Sequence, residues 1–424
     1  MKSVEEIVKL LNNSPSGDGG IVNSSNNSPS GDGGIVNSSN NSPLGDGGSV
    51  FFLGIGGIGM SALARYFNSI GVAVSGYDKT ETTLCKQLVA EGISIHYEDN
   101  IELIDKNAQL VIYTPAVPKD HKELNYYLQN GFTVTKRSDV LGSITSTGFN
   151  ICVAGTHGKT TTSTMVAHIL RHSDYGCNAF LGGIAVNYNS NFWSSKKNVF
   201  VAEADEYDRS FLKLSPDVAI ISSMDPDHLD IYGTAANMEQ AFIDFSARIK
   251  PGGLLISKYG LTRGNDLIAS NHITYDVQNE KADVHATNIR ISNGSYVFDI
   301  QIKDRLIKDV VLNMGGMHNI ENATAAIATA VCRRRHCDGG DQEGECPPVP
   351  LVLPPLAPQP SAAAKVVSVP LPSPSRGRST SRNIVVTAVS PRSLPPTKRQ
   401  LLASAASSSP SKTTTAPAVR LDPV

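Results

Sequence analysis

Aromatic residues are scarce in this 424-residue chain: they make up 6% of it, with a single tryptophan, Trp193. Long apolar runs are missing too. None approaches the roughly 20 residues that a membrane helix needs, and charge interrupts the opening segment Met1–Ile7, which excludes a secretory signal. Cysteine is sparse, six residues in no repeating framework, which excludes a disulfide scaffold and points to a reducing, cytoplasmic setting. Charge of one sign is lacking as well. The 37 Lys and Arg against 39 Asp and Glu leave a formal net charge of −2, so neither nucleic acid nor an anionic membrane surface is an expected partner.

What the chain does contain is unevenly spread. Sixteen of its 24 prolines lie between Pro347 and Pro423, a stretch with no Phe, Tyr or Trp and one acid, Asp422, against nine Lys and Arg. Such a stretch buries too little apolar surface to offset its ordering entropy, so residues 332–424 are expected to be a disordered, basic, Pro/Ser-rich tail. At the other end, residues 12–25 read NNSPSGDGGIVNSS, residues 26–39 repeat them unchanged, and residues 40–48 begin a third copy. Each unit offers only Ile and Val to a core, so residues 1–48 are expected to be a flexible repeat leader, with one short helix over residues 1–11.

From Ser49 to Val331 short apolar runs alternate with helical periodicity, which predicts βαβ units and a mainly parallel sheet. The expected strands include Val50–Leu53, Ile151–Ala154, Val199–Ala202 and Val218–Ser222. Lys159–His172 is an expected helix. Alternating residues over 272–312 predict an antiparallel annex before a helix near His318. The fold class is therefore α/β. A Rossmann-like domain over residues 49–145 is followed by a P-loop-type central α/β domain over residues 146–331.

The first predicted strand runs into Gly54-Ile55-Gly56-Gly57-Ile58-Gly59 and then a helix, which is G-x-G-x-x-G in the context that gives the motif meaning. Gly54, Gly56, Gly57 and Gly59 let the backbone turn tightly and approach a pyrophosphate, while the helix start supplies free N–H donors. Asp78 closes the next strand, near the spacing at which an acid meets a ribose hydroxyl. A dinucleotide and a UDP-sugar satisfy the same geometry, and a tight turn with no ligand is the plainer alternative.

A second loop, Gly155-Thr156-His157-Gly158-Lys159-Thr160-Thr161, follows the strand at Ile151–Ala154. It departs from strict Walker spacing, since Val153 stands where the first glycine would be. Its working parts remain: glycines expose backbone amides, Lys159 can reach β/γ-phosphates, and the Thr160 hydroxyl can ligate Mg²⁺. Two later strands end at Glu203-Ala204-Asp205-Glu206 and at Asp225-Pro226-Asp227-His228. In an open α/β sheet ligands bind at the carboxyl ends of strands. Glu203, nearest its strand end, is the expected magnesium carboxylate, and most of these acids are expected to be solvated or to cap helices. His228 is either a functional histidine or a helix-cap or core histidine.

Two such loops about 100 residues apart, with TPAVP (Thr114–Pro118), EADEYDRSFL (Glu203–Leu212), DPDHLDIYG (Asp225–Gly233) and MHNIENA (Met317–Ala323), resemble the Mur ligase family of bacterial peptidoglycan synthesis. The resemblance implies that the first loop holds the pyrophosphate of UDP-N-acetylmuramate and that Lys159 and Thr160 bind ATP phosphates and Mg²⁺. It also implies that Glu203 and His228 ligate metal and that Asn319 and Asn322 sit by the adenine. The histidine in the second loop favours the ligase that adds L-alanine first. The implied chemistry is amide formation through an acyl phosphate, serving cell-wall biogenesis, cell shape and cell division. The match stops near Val331, where the family's third domain would follow, so the expectation is substrate binding with poor or no ligation. Other readings stay open: a ligase that recycles a tripeptide onto the same sugar nucleotide, an NAD-linked oxidoreductase, or a non-catalytic nucleotide-binding module with a basic tail. Cys332, His336, Cys337 and Cys346 fit no zinc-knuckle spacing, and Cys85, Cys152 and Cys177 read as ordinary buried thiols.

Overall fold

The computed structural model describes residues 48–173, 175–332 and 352–353. The expected leader helix, the repeats, nearly all of the proline-rich tail and the cysteine–histidine group beyond Cys332 lie outside the described residues. So does the unit Thr387–Val424; both sheets belong to the other compact unit of the chain.

Ser49–Leu53 (β1) is buried along four of its five residues, as a strand covered on both faces of a parallel sheet must be. It sits at the centre of a five-stranded, wholly parallel sheet. On one side lie Ala73–Tyr77 (β2) and Ser94–His96 (β3); on the other lie Ala108–Tyr113 (β4) and Val134–Lys136 (β5). The spatial order 3-2-1-4-5 is that of a doubly wound nucleotide-binding sheet, with its switch point at the end of β1. Ile58–Ser69 (α1) leaves that point directly. Thr83–Ala90 (α2), capped by the Thr82 side chain, and Lys122–Gln129 (α3), capped by His121, fill the crossovers. Arg137–Ser146 (α4) leads to the second sheet.

That sheet has eleven strands. Phe149–Ala154 (β6) is central, and Lys159–His172 (α5) follows it over the residues that the sequence predicts. Asn178–Ala185 (β7) and Ser190–Trp193 (β8) form an edge hairpin, and Val199–Glu203 (β9) lies between that hairpin and β6. On the far side of β6 come Val218–Ile221 (β10), Leu254–Lys258 (β11) and Asn271–Asp276 (β12), all parallel. Between β10 and β11 run a short helix, Leu229–Tyr232 (α6), and Ala235–Ser246 (α7). The antiparallel annex starts later than the residue pattern suggests. β12 still pairs in parallel, and only Val284–Ser292 (β13), Ser295–Ile302 (β14) and Arg305–Leu312 (β15) alternate in direction. Met317–Cys332 (α8) then packs back on α5, and Val352–Leu353 pair with β15.

One apolar cluster runs from Val50 in the first sheet to Leu255 in the second. Its seam is α1 against the β7–β8 hairpin: the Tyr66 ring lies 5.5 Å from Phe180 and 6.1 Å from Phe192. Asn191, fully buried, donates to the Ile58 carbonyl at 2.5 Å and to Ser61 Oγ at 3.0 Å, and accepts from Arg65. Residue patterning gives no sign of this hairpin, because Gly182 and Gly183 interrupt its apolar run. Among the described residues, no helix is long and apolar enough to cross a membrane. Cys85, Cys152 and Cys177 are buried and in no disulfide among the described residues, as their sequence context suggests, and burial pushes the Cys152 thiol far up.

Candidate functional site

Sheet register brings the chemistry to one edge. Ala154 pairs with Ile221 and Val153 with Glu203, so β6, β9 and β10 end level with one another. Their exits carry the second glycine loop, the first acid cluster and the segment leading to His228.

In the second loop Gly158 takes φ +83°, a conformation that costs an L side chain, and a Cβ there would stand 2.6 Å from Asn322 Oδ1. The Lys159 ammonium is 2.7 Å from Glu206 Oε1 and donates to the Gly155 carbonyl at 2.8 Å. The Thr160 hydroxyl donates to both oxygens of Glu203, at 3.0 and 2.9 Å, and the Gly182 N–H donates to Glu203 Oε2 at 2.9 Å. Burial of this carboxylate raises its pKa against the lowering effects of Thr160 and Lys159. The loop is braced from below. Ser222 Oγ donates to the His157 carbonyl at 2.5 Å, Ser223 Oγ accepts from the His157 N–H at 2.8 Å, and Thr156 Oγ1 donates to the Asp225 carbonyl at 2.9 Å. The His157 ring is exposed, 3.8 Å from Asp225. Thr161 is half-buried on the first turn of α5.

Asn319 and Asn322 lie on the first turns of α8 and are both buried. Asn322 Oδ1 accepts from the Thr162 hydroxyl at 3.2 Å, and Asn319 Nδ2 donates to the Gly315 carbonyl at 2.7 Å. The pair therefore stands beside the loop, with Asn322 against Gly158. His228 is the N-cap residue of α6, at φ +48°, as the helix-cap alternative has it, but its side chain makes no capping bond and is left for other partners. Its Nε2 lies 3.9 Å from Glu206 and 3.8 Å from Asp227, which brings it to Glu206 rather than to Glu203.

Glu206 is what the residue pattern missed. It belongs to the acids of which most are expected to be solvated or to cap helices, yet it is 1% exposed. Nothing in EADEYD distinguishes it; only the turn after β9 folds it under the loop.

At the first loop Gly54 turns with φ +83° and Gly57 precedes α1 as its cap residue. Asp78 Oδ2 accepts from the Gly56 N–H at 2.7 Å, and Oδ1 accepts from the Thr80 N–H at 3.1 Å. The acid thus holds the loop itself. Gly57 and Gly59 line a cleft of about 470 Å³ that is also lined by Gly182, Glu203, Asp205, Arg137 and Thr114. Arg137 lies 3.7 Å from Asp205, both lining the cleft. Gly54 and Gly155 do not line it, but Glu203 does, and Glu203 is bonded to Thr160 of the second loop. The first loop thus lines the cleft through Gly57 and Gly59, while no residue of the second loop lines it; Glu203, a lining residue bonded to Thr160, is what connects the second loop to that space.

As to a metal, the described residues contain no group of three or more His, Cys, Asp and Glu able to hold one. Thr160 and Glu203 nevertheless fit Mg²⁺. They set a hydroxyl beside a partly buried carboxylate, hard oxygen donors that suit an ion keeping phosphate and water in its shell.

Fold and site together define a two-domain α/β protein, with a doubly wound parallel sheet followed by a larger sheet that carries a P-loop-type strand–loop–helix junction. The Mur ligase family catalytic domain matches residues 49–148 and the Mur ligase middle domain matches residues 153–330; the chain belongs to the Mur ligase family. It is 49% identical over 288 residues to the UDP-N-acetylmuramate–L-alanine ligase of Phocaeicola vulgatus, over 66% of this chain and 63% of that protein. Among solved structures it resembles the UDP-N-acetylmuramate–alanine ligase of Thermotoga maritima, with TM-score 0.60 and 28% identity over 68% of this chain and 65% of that one. It also resembles a murein peptide ligase of Psychrobacter arcticus, with TM-score 0.59 and 25% identity over 68% and 65%. The chain thus spans about 63% of the length of the curated relative.

Proposed function

We propose that the chain is an ATP-dependent ligase that joins L-alanine to UDP-N-acetylmuramate in peptidoglycan synthesis, working in the cytoplasm and serving cell-wall biogenesis, cell shape and cell division. On this reading residues 49–145 hold the sugar nucleotide and residues 146–331 hold ATP. The observation that carries it is the connecting carboxylate: Glu203 lines the cleft that the first loop lines and accepts from Thr160 of the second loop. A sugar nucleotide's acid group and a triphosphate would therefore meet on either side of one side chain.

The Gly54–Gly59 turn and the start of α1 would take the pyrophosphate, with Asp78 keeping the loop in shape. The amides of Gly155–Thr160 would cradle ATP, and Lys159 would leave the Gly155 carbonyl for the β/γ-phosphates. Asn319 and Asn322, beside that loop, would border the adenine. The lactyl carboxylate attacks the γ-phosphorus in line, the bond to the β-phosphate oxygen breaks, and an acyl phosphate and ADP form. The amine of L-alanine then attacks the acyl carbon, loses a proton and expels phosphate. Mg²⁺ held by Thr160 and Glu203, with His228 near a second ion, would neutralise charge on the transferred group.

The test is titration calorimetry of the chain with UDP-N-acetylmuramate, Mg²⁺-ATP and NADH. Saturable binding of the first two and none of the third is expected. Binding of NADH with no ATP binding would replace the ligase by an oxidoreductase. The tripeptide-recycling reading rests on the likeness to the murein peptide ligase; phosphate release driven by L-Ala-γ-D-Glu-meso-diaminopimelate and not by L-alanine would favour it.

A further inference from the structure

Glu206 has no part in the functional reading so far, yet the site is built around it. Its side chain is 1% exposed. Oε1 is 2.7 Å from Lys159 Nζ and 3.9 Å from His228 Nε2, while Oε2 is buried with no hydrogen-bond partner. The backbone around it is fixed: its carbonyl accepts from the Tyr232 hydroxyl at 2.6 Å and from the Arg209 N–H at 3.0 Å. Burial, the largest influence on Tyr232, lifts that phenol to about 12, which keeps it a donor at any working pH.

A carboxylate taken out of water is retained only with a cation beside it. Here the cation is Lys159, the side chain that the ligase reading sends to the phosphates. When Lys159 turns towards ATP, Glu206 would be left as an uncompensated buried charge unless positive charge arrives from elsewhere. Oε2, unbonded, and His228, at 3.9 Å, mark where it would arrive.

We propose that Glu206 is a positioning residue for metal-bound ATP. It holds Lys159 at the mouth of the second loop and orients His228, and its free oxygen supports the outer shell of the divalent cation that enters with the nucleotide. This rests on the ATP-binding reading above. The role differs from that of Glu203, which bonds Thr160 and faces the cleft; Glu206 acts through its neighbours and does not touch the sugar nucleotide. Partners that orient metal ligands typically carry about 10- to 100-fold in metal affinity.

The experiment measures Kd for ATP by calorimetry with Mg²⁺ and with EDTA, and Kd for UDP-N-acetylmuramate, in the full chain and in Glu206→Gln and Glu206→Asp. Glu206→Gln should weaken Mg²⁺-ATP by about 10- to 100-fold. It should leave metal-free ATP within about threefold, since a repulsive carboxylate has also gone, and leave the sugar nucleotide unchanged. Glu206→Asp keeps the charge on a shorter arm and should fall between the two; it decides the matter if the glutamine variant does not fold. Wild-type Mg²⁺-ATP affinity in the folded variants would overturn the proposal. Equal losses for Mg²⁺-ATP, metal-free ATP and sugar nucleotide would also overturn it, by reducing Glu206 to a structural role. A wild-type chain that binds no ATP would instead remove the ligase reading beneath it.

Discussion

Substituting Gly182 by alanine tests the role of the Glu203 carboxylate without replacing a charged residue. A Cβ at this position would stand 2.1 Å from Glu203 Oε2, 2.6 Å from its Cδ and 2.7 Å from Oε1. Ordinary non-bonded separations are about 3.5 Å, so the carboxylate would have to retreat by roughly 1.4 Å. The Gly182 backbone does not lie in the left-handed region, so alanine is conformationally admissible and the effect is steric. Retreat stretches the 2.9 Å bond from the Gly182 N–H and both bonds from Thr160. A hydrogen bond to a charged group contributes about 1.5–3 kcal/mol, so Mg²⁺-ATP affinity should fall roughly 10- to 150-fold. Gly183→Ala is the control, because its Cβ would meet only the Thr160 methyl, at 3.1 Å. The assay is calorimetric titration of each variant with Mg²⁺-ATP, alongside a thermal melt to show that both are folded. If the Gly182 variant binds Mg²⁺-ATP as the wild type does, Glu203 does not hold the cation and the argument for a common site fails.

Lys159→Ala should lower ATP affinity tenfold or more, at about 1.4 kcal/mol per decade, and leave UDP-N-acetylmuramate affinity unchanged; parallel titrations check both. Glu203 has a folded-state pKa above its ordinary value, so its contribution to stability is greatest at pH below that value and is lost as pH rises through the shifted one. Glu203→Gln in EDTA should therefore melt higher than wild type at neutral pH, with the gain vanishing on the acid side; a gain that grows towards acid would contradict the assigned direction. Asn191→Ala leaves Arg65, Ser61 and the Ile58 carbonyl short of a buried partner and should cost about 1–3 kcal/mol, read from urea unfolding. An unchanged midpoint would show that the seam between α1 and the edge hairpin carries no such bond energy.

The alternation of apolar runs and helical periodicity is a local property, so β1, β6, α5 and the two glycine loops were legible in the residues alone. The Lys159–His172 helix has a glycine in the left-handed conformation at its start and basic residues in its last turn, signals that survive any tertiary context. What could not be read was placement across the chain. Glu206 and Asp205 stand one residue apart, yet one is buried and bonded to Lys159 while the other faces the cleft. That difference arises from how the turn after β9 meets α6, through Tyr232, and no spacing rule encodes it. Asp78 shows the converse. Its position after β2 was legible, but its use, accepting from Gly56 to hold the loop, depends on a contact made only when β1 and β2 pair.

The seam also constrains how substrates could meet. Opening the angle between the two sheets would expose Tyr66, Phe180 and Phe192, all buried, and break the fully buried bonds of Asn191. Exposing an aromatic or aliphatic side chain of this size costs about 1.5–3 kcal/mol each, so a hinge at this seam would spend much of a domain's marginal stability. The cleft wall formed by Gly57 and Gly59 is therefore held at a fixed distance from Glu203, and through it from Thr160 and the second loop. Proximity between a bound acid group and a bound triphosphate would then come from the packed frame itself, which supplies the orientation that in-line transfer requires.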